Sequence, residues 1–361
     1  MLVIKDKKYC CGCTACASIC PKKCITMTDD VEGISYPIVD NERCVDCGLC
    51  ESVCPMQHPE SDNRIISAYA SENRNADIRK QSSSGGLFTA FAAHILEQQG
   101  VVCACKMNED VCAVHDFAWT MEELKPMRCS KYVQSRLEDT FVEIKKMLDD
   151  GIQVLFSGMP CQVAGLKRFL RKPYDNLLAI DVLCHGVPSP KLFRDYLRMQ
   201  EAKFGSRAVA VNFRDKSRSW KLSDIVITFE NGQTYTEFCG TDAYLSLFGN
   251  NLSQRPSCFA CPFTTTHRPG DISIGDFSVI INKVPYEDDD LGVTMVLVNN
   301  EKGKAIFDDI SDSISLMELS VDTAVTDNAV LNHPLDGIER RNAFYEAYTA
   351  LGFQKAISKL G

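Results

Sequence analysis

The sequence has no apolar run approaching the roughly 20 residues that a membrane-spanning helix requires. Its opening stretch, Met1 to Lys8, carries charge where a signal peptide would carry its apolar segment. Positive charge is not in excess either: 39 Lys and Arg stand against 48 Asp and Glu, a formal net charge of -9. That excludes the basic footprint of a nucleic-acid binder, and acidity alone names no other partner. Neither G-x-G-x-x-G nor G-x4-G-K-S/T occurs, so a Rossmann or P-loop account of nucleotide binding fails. These absences point to a cytoplasmic protein with no membrane span and no nucleic-acid partner. Its 361 residues suit two or three domains.

What is abundant is cysteine, with 19 residues. Structural disulfides are unexpected in a reducing compartment, so metal or redox chemistry is the first explanation. Cys10, Cys13, Cys16 and Cys20-Pro21 follow the run C-x2-C-x2-C-x3-C-P, and Cys44, Cys47, Cys50 and Cys54-Pro55 repeat it. Three thiolates two residues apart wrap one 4Fe-4S cubane, and the cysteine before proline reaches the other cluster. The spacing therefore assigns Cys10, Cys13, Cys16 and Cys54 to one cluster, and Cys44, Cys47, Cys50 and Cys20 to a second. Structural zinc would pair two C-x2-C knuckles and does not account for three close cysteines occurring twice. Residues 1–56 resemble a bacterial-type ferredoxin domain. Cys11 and Cys24 fall outside the pattern and read as buried small hydrophobes.

Residues 57–64 are polar and read as a linker to a body spanning 65–361. A strand is expected over 65–70 and an amphipathic helix over 84–98. Strands follow over 101–105 and 111–119, then a helix over 137–148 and a strand over 154–156. The next elements are a loop 157–161, a helix 162–170 and a strand 177–183. Ser189 and Pro190 open a helix to Phe204, and Asn231-Gly232 sits between two strands as a hairpin signal. Strands over 294–299 and 314–319 alternate with helices near 302–310 and 337–351. The alternation gives the fold class: a two-cluster ferredoxin-like domain followed by a larger mixed α/β body, α+β or α/β overall.

Cys161 and Cys184 each follow an expected strand, where open α/β sheets build ligand sites, and Cys258-Phe259-Ala260-Cys261 adds a C-x2-C pair. Four thiolates from three loops could close round a third cluster; by spacing alone, two of them could equally be inert core. The pair is not followed by histidine and is no haem c attachment site.

The segments Ser84-Gly85-Gly86, Lys131-Tyr132 with Ser135, and Gly158-Met159-Pro160-Cys161-Gln162 occur in that order. Cys184-His185-Gly186, Cys258 to Phe263 and Arg268 to Phe277 follow them. With them, the chain from about Ser61 to its end resembles the coenzyme F420 hydrogenase/dehydrogenase beta-subunit family. The resemblance implies FAD, a 4Fe-4S cluster on Cys161, Cys184, Cys258 and Cys261, and electron transfer between that cluster and an organic hydride carrier. It also implies flavin contacts at Ser84, Gly85, Gly86, Lys131, Tyr132, Gly158, Pro160, Arg268, Asp271 and Asp276. Glycines opening a helix suit a diphosphate; Lys131 and Arg268 would neutralise it, and Asp271 and Asp276 would take ribose or ring hydrogen bonds.

His185, beside Cys184, is a candidate proton donor. Lys216 and Trp220 are candidates for the mouth of a site taking an anionic, planar substrate. Cys103 and Cys105 share a strand face and read as packing. The expected activity is an iron–sulfur flavoenzyme with three 4Fe-4S clusters and FAD, self-associating or not, exchanging electrons with a soluble ferredoxin or redox partner protein. Its FAD would serve a small-molecule hydride acceptor. The alternatives are a non-catalytic electron-transfer subunit of a larger hydrogenase or dehydrogenase complex, and a zinc-stabilised binding protein.

Overall fold

Between the two cysteine runs, Ile25–Asp29 (β1) and Ser35–Val39 (β2) pair antiparallel. The turn forms because the Asp30 carboxylate accepts from the amides of Glu32 and Ile34, and Gly33 takes a φ of +73°. Short helices Ala15–Ile19 and Leu49–Ser52 carry Cys16 and Cys50. The computed structural model describes residues 4–277, 284, 286–287, 289–326 and 328–359.

The body is built on an eight-stranded sheet. Its strands are Ser67–Asn73 (β3), Val101–Met107 (β4), Ala113–Ala118 (β5), Val154–Gly158 (β6) and Leu177–Val182 (β7), with three more described below. Ala208–Asp215 (β8), Asp224–Phe229 (β9) and Thr234–Phe238 (β10) form a separate antiparallel sheet in the order β10-β9-β8. Ile272–Asp276 (β11), Thr294–Val298 (β12) and Ile314–Leu319 (β13) complete the large sheet, ordered β13-β3-β12-β11-β7-β6-β4-β5. Its centre, β4, β6, β7 and β11, is parallel, and both edges are antiparallel. The central strands are buried on both faces and read as continuous apolar runs, as parallel strands do. The mixed α/β body is as expected.

Some boundaries differ. The helix after β6 is Pro160–Leu170, so Cys161 sits in its first turn and not in the loop before it. Proline at the first helical position and the Gln162 side chain accepting from the Met159 amide start the helix early. Strand β8 escaped the sequence reading because only Ala208 and Phe213 are buried, so it lacks an apolar period. Strand β11 was hidden by Gly275 and Asp276 at its end.

The amino-terminal segment is packed into the body. Cys11, Cys13, Ala15 and Val53 share one apolar cluster with Phe141, Phe156, Val163 and Leu166. Contact is close: a Cβ on Gly165 would lie 2.9 Å from both Cβ and Sγ of Cys13. Residues 57–64 have no regular secondary structure, yet the Asn63 amide donates to the carbonyls of Arg268 and Gly270. At the far end, the helix Ile338–Leu351 supplies Arg341, whose Nη1 meets Glu32 Oε1 at 3.0 Å. Among the described residues no helix is long and apolar enough to cross a membrane.

Candidate functional site

The thiols gather into three groups. Cys20, Cys44, Cys47 and Cys50 line one cavity, and Cys10, Cys13, Cys16 and Cys54 line a second. Each group takes three cysteines from one run and the proline-preceding cysteine from the other. Cys161, Cys184, Cys258 and Cys261 line a third. Helix geometry supplies Cys161 from the first turn of Pro160–Leu170, and the turn Pro256–Ala260 supplies Cys258. The Gly186 amide donates to Cys184 Sγ at 3.3 Å, a contact that favours a thiolate.

Cys11 and Cys24, read as inert from the sequence, are buried but touch these groups. The Cys11 thiol interacts with those of Cys13 and Cys161, and Cys24 Sγ lies 3.4 Å from Cys20 Sγ. Cys11 and Met56 border both the second and third cavities, so those two are adjacent.

On the other side of the third cavity lies a larger one of about 280 Å³, near the lower end of the roughly 300–1,000 Å³ typical of small-ligand sites. Met159, Cys184, Gly186 and Val187 border both. Ser84, Gly86, Lys131, Tyr132, Gly158, His185 and Asp276 all line the larger cavity. Gly85 sits behind it, its amide donating to Thr294 Oγ1 at 2.9 Å, where a Cβ would come within 2.6 Å of the Ser71 carbonyl. Gly86, with φ at +82°, is the left-handed residue that opens the helix Leu87–Glu97. Burial pushes the Lys131 pKa down, and its ammonium donates to the Pro126 carbonyl at 2.7 Å. Arg214 bridges Tyr132 Oη at 3.1 Å and Asp276 at 2.8 Å.

Four candidates lie elsewhere. Arg268 does not line this cavity. Its guanidinium is buried in an ion pair with the fully buried Asp181 at 2.5 Å, and it also donates to the Phe263 carbonyl. Asp271 also lies away from it. Its carboxylate accepts from the Ala179 amide and meets Lys167 at 3.1 Å and Lys302 at 3.3 Å. Burial raises its pKa, and the two lysines outweigh that and hold it low. Pro160 borders the third cysteine cavity. Lys216 gives its three N–H groups to the carbonyls of Arg79, Ser84 and Leu291, which makes it a brace under the Ser84 loop. Burial, then Arg79 and Arg214, lower its pKa to about 8. Trp220 is buried beside it and lines a neighbouring cavity.

Two residues went unnoticed in the sequence. His115 is buried against Phe156, and its Nε2 donates to the Ser157 carbonyl at 3.1 Å. Burial, opposed by that bond, lowers its pKa to about 4, so the ring is neutral, with Nδ1 an acceptor that has no partner among the described residues. Arg255, buried between the second and third cysteine groups, is the other. A lone histidine in a strand and a lone arginine before a proline gave no signal.

Residues 9–58 match the family model described as a 4Fe-4S dicluster domain. Residues 152–323 match the model for the carboxyl-terminal part of the coenzyme F420 hydrogenase/dehydrogenase beta subunit. The chain thus carries a domain of the F420 hydrogenase/dehydrogenase beta-subunit carboxyl-terminal type behind a 4Fe-4S dicluster domain. No curated protein matches it. Among solved structures, a chain described under xenon derivatization of the F420-reducing NiFe hydrogenase complex from Methanosarcina barkeri is similar at a TM-score of 0.50. The likeness covers 82% of this chain and 91% of that one at 15% identity, and speaks for a shared fold. This beta-subunit-type protein is thus an iron–sulfur protein of the oxidoreductase kind.

Proposed function

We propose that the chain is an iron–sulfur flavoprotein oxidoreductase, moving electrons between a ferredoxin-type partner and an organic hydride acceptor such as coenzyme F420 or another reducible small molecule. One observation carries this reading: the 280 Å³ cavity and the third cysteine group share a wall made of Met159, Cys184, Gly186 and Val187. FAD bound there would exchange single electrons on one side and a hydride on the other. Cys161, Cys184, Cys258 and Cys261 would hold a third 4Fe-4S cluster.

The residues present fit these groups. Gly86 lines the cavity and opens an 11-residue helix, whose first-turn amides suit a diphosphate, and Gly85 lets that loop pack against Ser71 and Thr294. Lys131 would supply its counter-charge. Tyr132, Gly158 and Asp276 would bound the ring, with Arg214 fixing the orientation of Asp276. His185, on the same wall, would hold the proton that accompanies hydride transfer. Lys216 and Asp271 would support the site from outside it, and Pro160 and Arg268 border the third cysteine cavity. Residues 1–56 would form the electron-transfer domain, 57–64 its connection and 65–361 the catalytic body, all cytoplasmic.

Anoxic reconstitution with measurement of iron, sulfide and flavin tests this. The expected content is about 12 irons, three clusters of four, with about one FAD per chain. About eight irons and no flavin would overturn it. Full cofactors with no reduction of any acceptor by reduced ferredoxin would instead mark a subunit that works only inside a larger hydrogenase or dehydrogenase complex.

A further inference from the structure

Four guanidinium groups are buried among the described residues: Arg79, Arg255, Arg268 and Arg341. Three of them meet a carboxylate, Arg79 with Glu72 and Asp289, Arg268 with Asp181, and Arg341 with Glu32. Arg255 is 1% exposed, and none of its hydrogen bonds among the described residues goes to a carboxylate. Its Nε donates to the Cys10 carbonyl at 2.6 Å and its Nη1 to Gln134 Oε1 at 3.1 Å. Its Nη2 donates to the Ser35 carbonyl at 2.8 Å and reaches Cys10 Sγ at 3.5 Å. The Tyr36 ring lies 4.4 Å from the guanidinium carbon.

An unpaired buried charge is costly, and proteins avoid it unless something of opposite sign is close. The anionic groups at hand are thiolates. Arg255 borders the cavity of Cys161, Cys184, Cys258 and Cys261. Through Cys10 it also reaches the group of Cys10, Cys13, Cys16 and Cys54. The outer group of Cys20, Cys44, Cys47 and Cys50 is bordered by Lys22, whose side chain is exposed and therefore screened by water, and its Cys47 is exposed too.

We infer that Arg255 is the counter-ion the body presents to the inner iron–sulfur clusters, and that it raises the reduction potential of the one on Cys10, Cys13, Cys16 and Cys54 above that of the outer one. This rests on the cysteine groups holding clusters and not on the flavin. Reduction makes a thiolate-ligated cluster more negative, so a fixed positive charge and an N–H···S bond favour the reduced form. Solvation works in the opposite direction, because water stabilises the more charged state of the exposed outer cluster. The order of the two potentials therefore separates the two effects. With the inner cluster higher, electrons arriving at the surface run inward.

The experiment is a redox titration followed by EPR on the full reconstituted chain, with iron counted in every sample. Cys47→Ser identifies the outer signal, since it alters only that ligand set. In the unsubstituted protein the inner midpoint should lie above the outer one. Arg255→Gln should lower the inner midpoint and leave the outer in place, and Arg255→Lys, which keeps the charge, should retain most of the difference. An inner midpoint at or below the outer one, or an Arg255→Gln protein with full iron and no shift, overturns the inference. If Arg255→Gln fails to hold iron, the order in the unsubstituted protein decides alone. Absence of flavin would sink the enzyme reading and leave this result intact.

Discussion

The two cysteine runs share one spacing and lie in different surroundings. Positions that correspond within the runs take the same left-handed backbone: Gly12 at φ +71° matches Asp46 at +49°, and Thr14 at +65° matches Gly48 at +73°. The side chains differ where the body intrudes. A Cβ on Gly12 would lie 2.7 Å from Arg255 Nη1 and 2.8 Å from Gln134 Nε2. Asp46, its counterpart, carries a side chain toward the outside, and a Cβ on Gly48 would meet nothing within 4 Å. Ligand spacing thus decides what each run binds, and what presses on the run decides which is buried and which is exposed.

The largest effect is expected where docking itself is cut. Arg341→Met should leave Glu32 half-buried without its partner, at a loss of about 3–5 kcal/mol. Urea unfolding would measure it, and limited proteolysis should then cleave the amino-terminal segment first. An unchanged midpoint would mean that the inner surroundings do not depend on this clasp. Next, Gly12→Ala should destabilise by about 1–3 kcal/mol, since it meets both strain and collision, and Gly48→Ala by about 1 kcal/mol from strain alone. Equal losses in thermal unfolding would erase the distinction between the runs.

The smallest effect lies at the far end of the path, in the larger cavity. His115 has its folded pKa lowered from 6.5 to about 4, so the unfolded chain binds the extra proton. Its contribution is present above pH 6.5 and is lost as pH falls toward about 4. His115→Gln should flatten stability against pH in that window; a curve parallel to the unsubstituted protein's would place the imidazole in water.

Cys161, Cys184, Cys258 and Cys261 come from three separate segments and share no local spacing. The two cysteine runs of the dicluster domain were legible because a cubane demands such a spacing, which a sequence displays. The body's layers were legible from apolar runs such as Val154–Phe156 and Leu177–Val182 for the same reason. Residues that act at long range were not. Arg255 meets Cys10 across 245 positions, and Cys11 meets Cys161 only because a helix brings it there. The charge of Arg268 and Asp271 gave no direction, and both turn into the sheet to pair with Asp181, Lys167 and Lys302. Lys216 showed the converse: its loop does adjoin the site, as support.

The bond between Glu32 and Arg341 joins residues 309 positions apart. A ribosome adding about 5–20 residues per second needs on the order of 15–60 s to cover that stretch. Through that interval the cysteine-bearing segment has emerged and the helix Ile338–Leu351 that clasps it has not. Until then Glu32 has no Arg341 to pair with, and the amino-terminal segment is held only by the parts of the body already made.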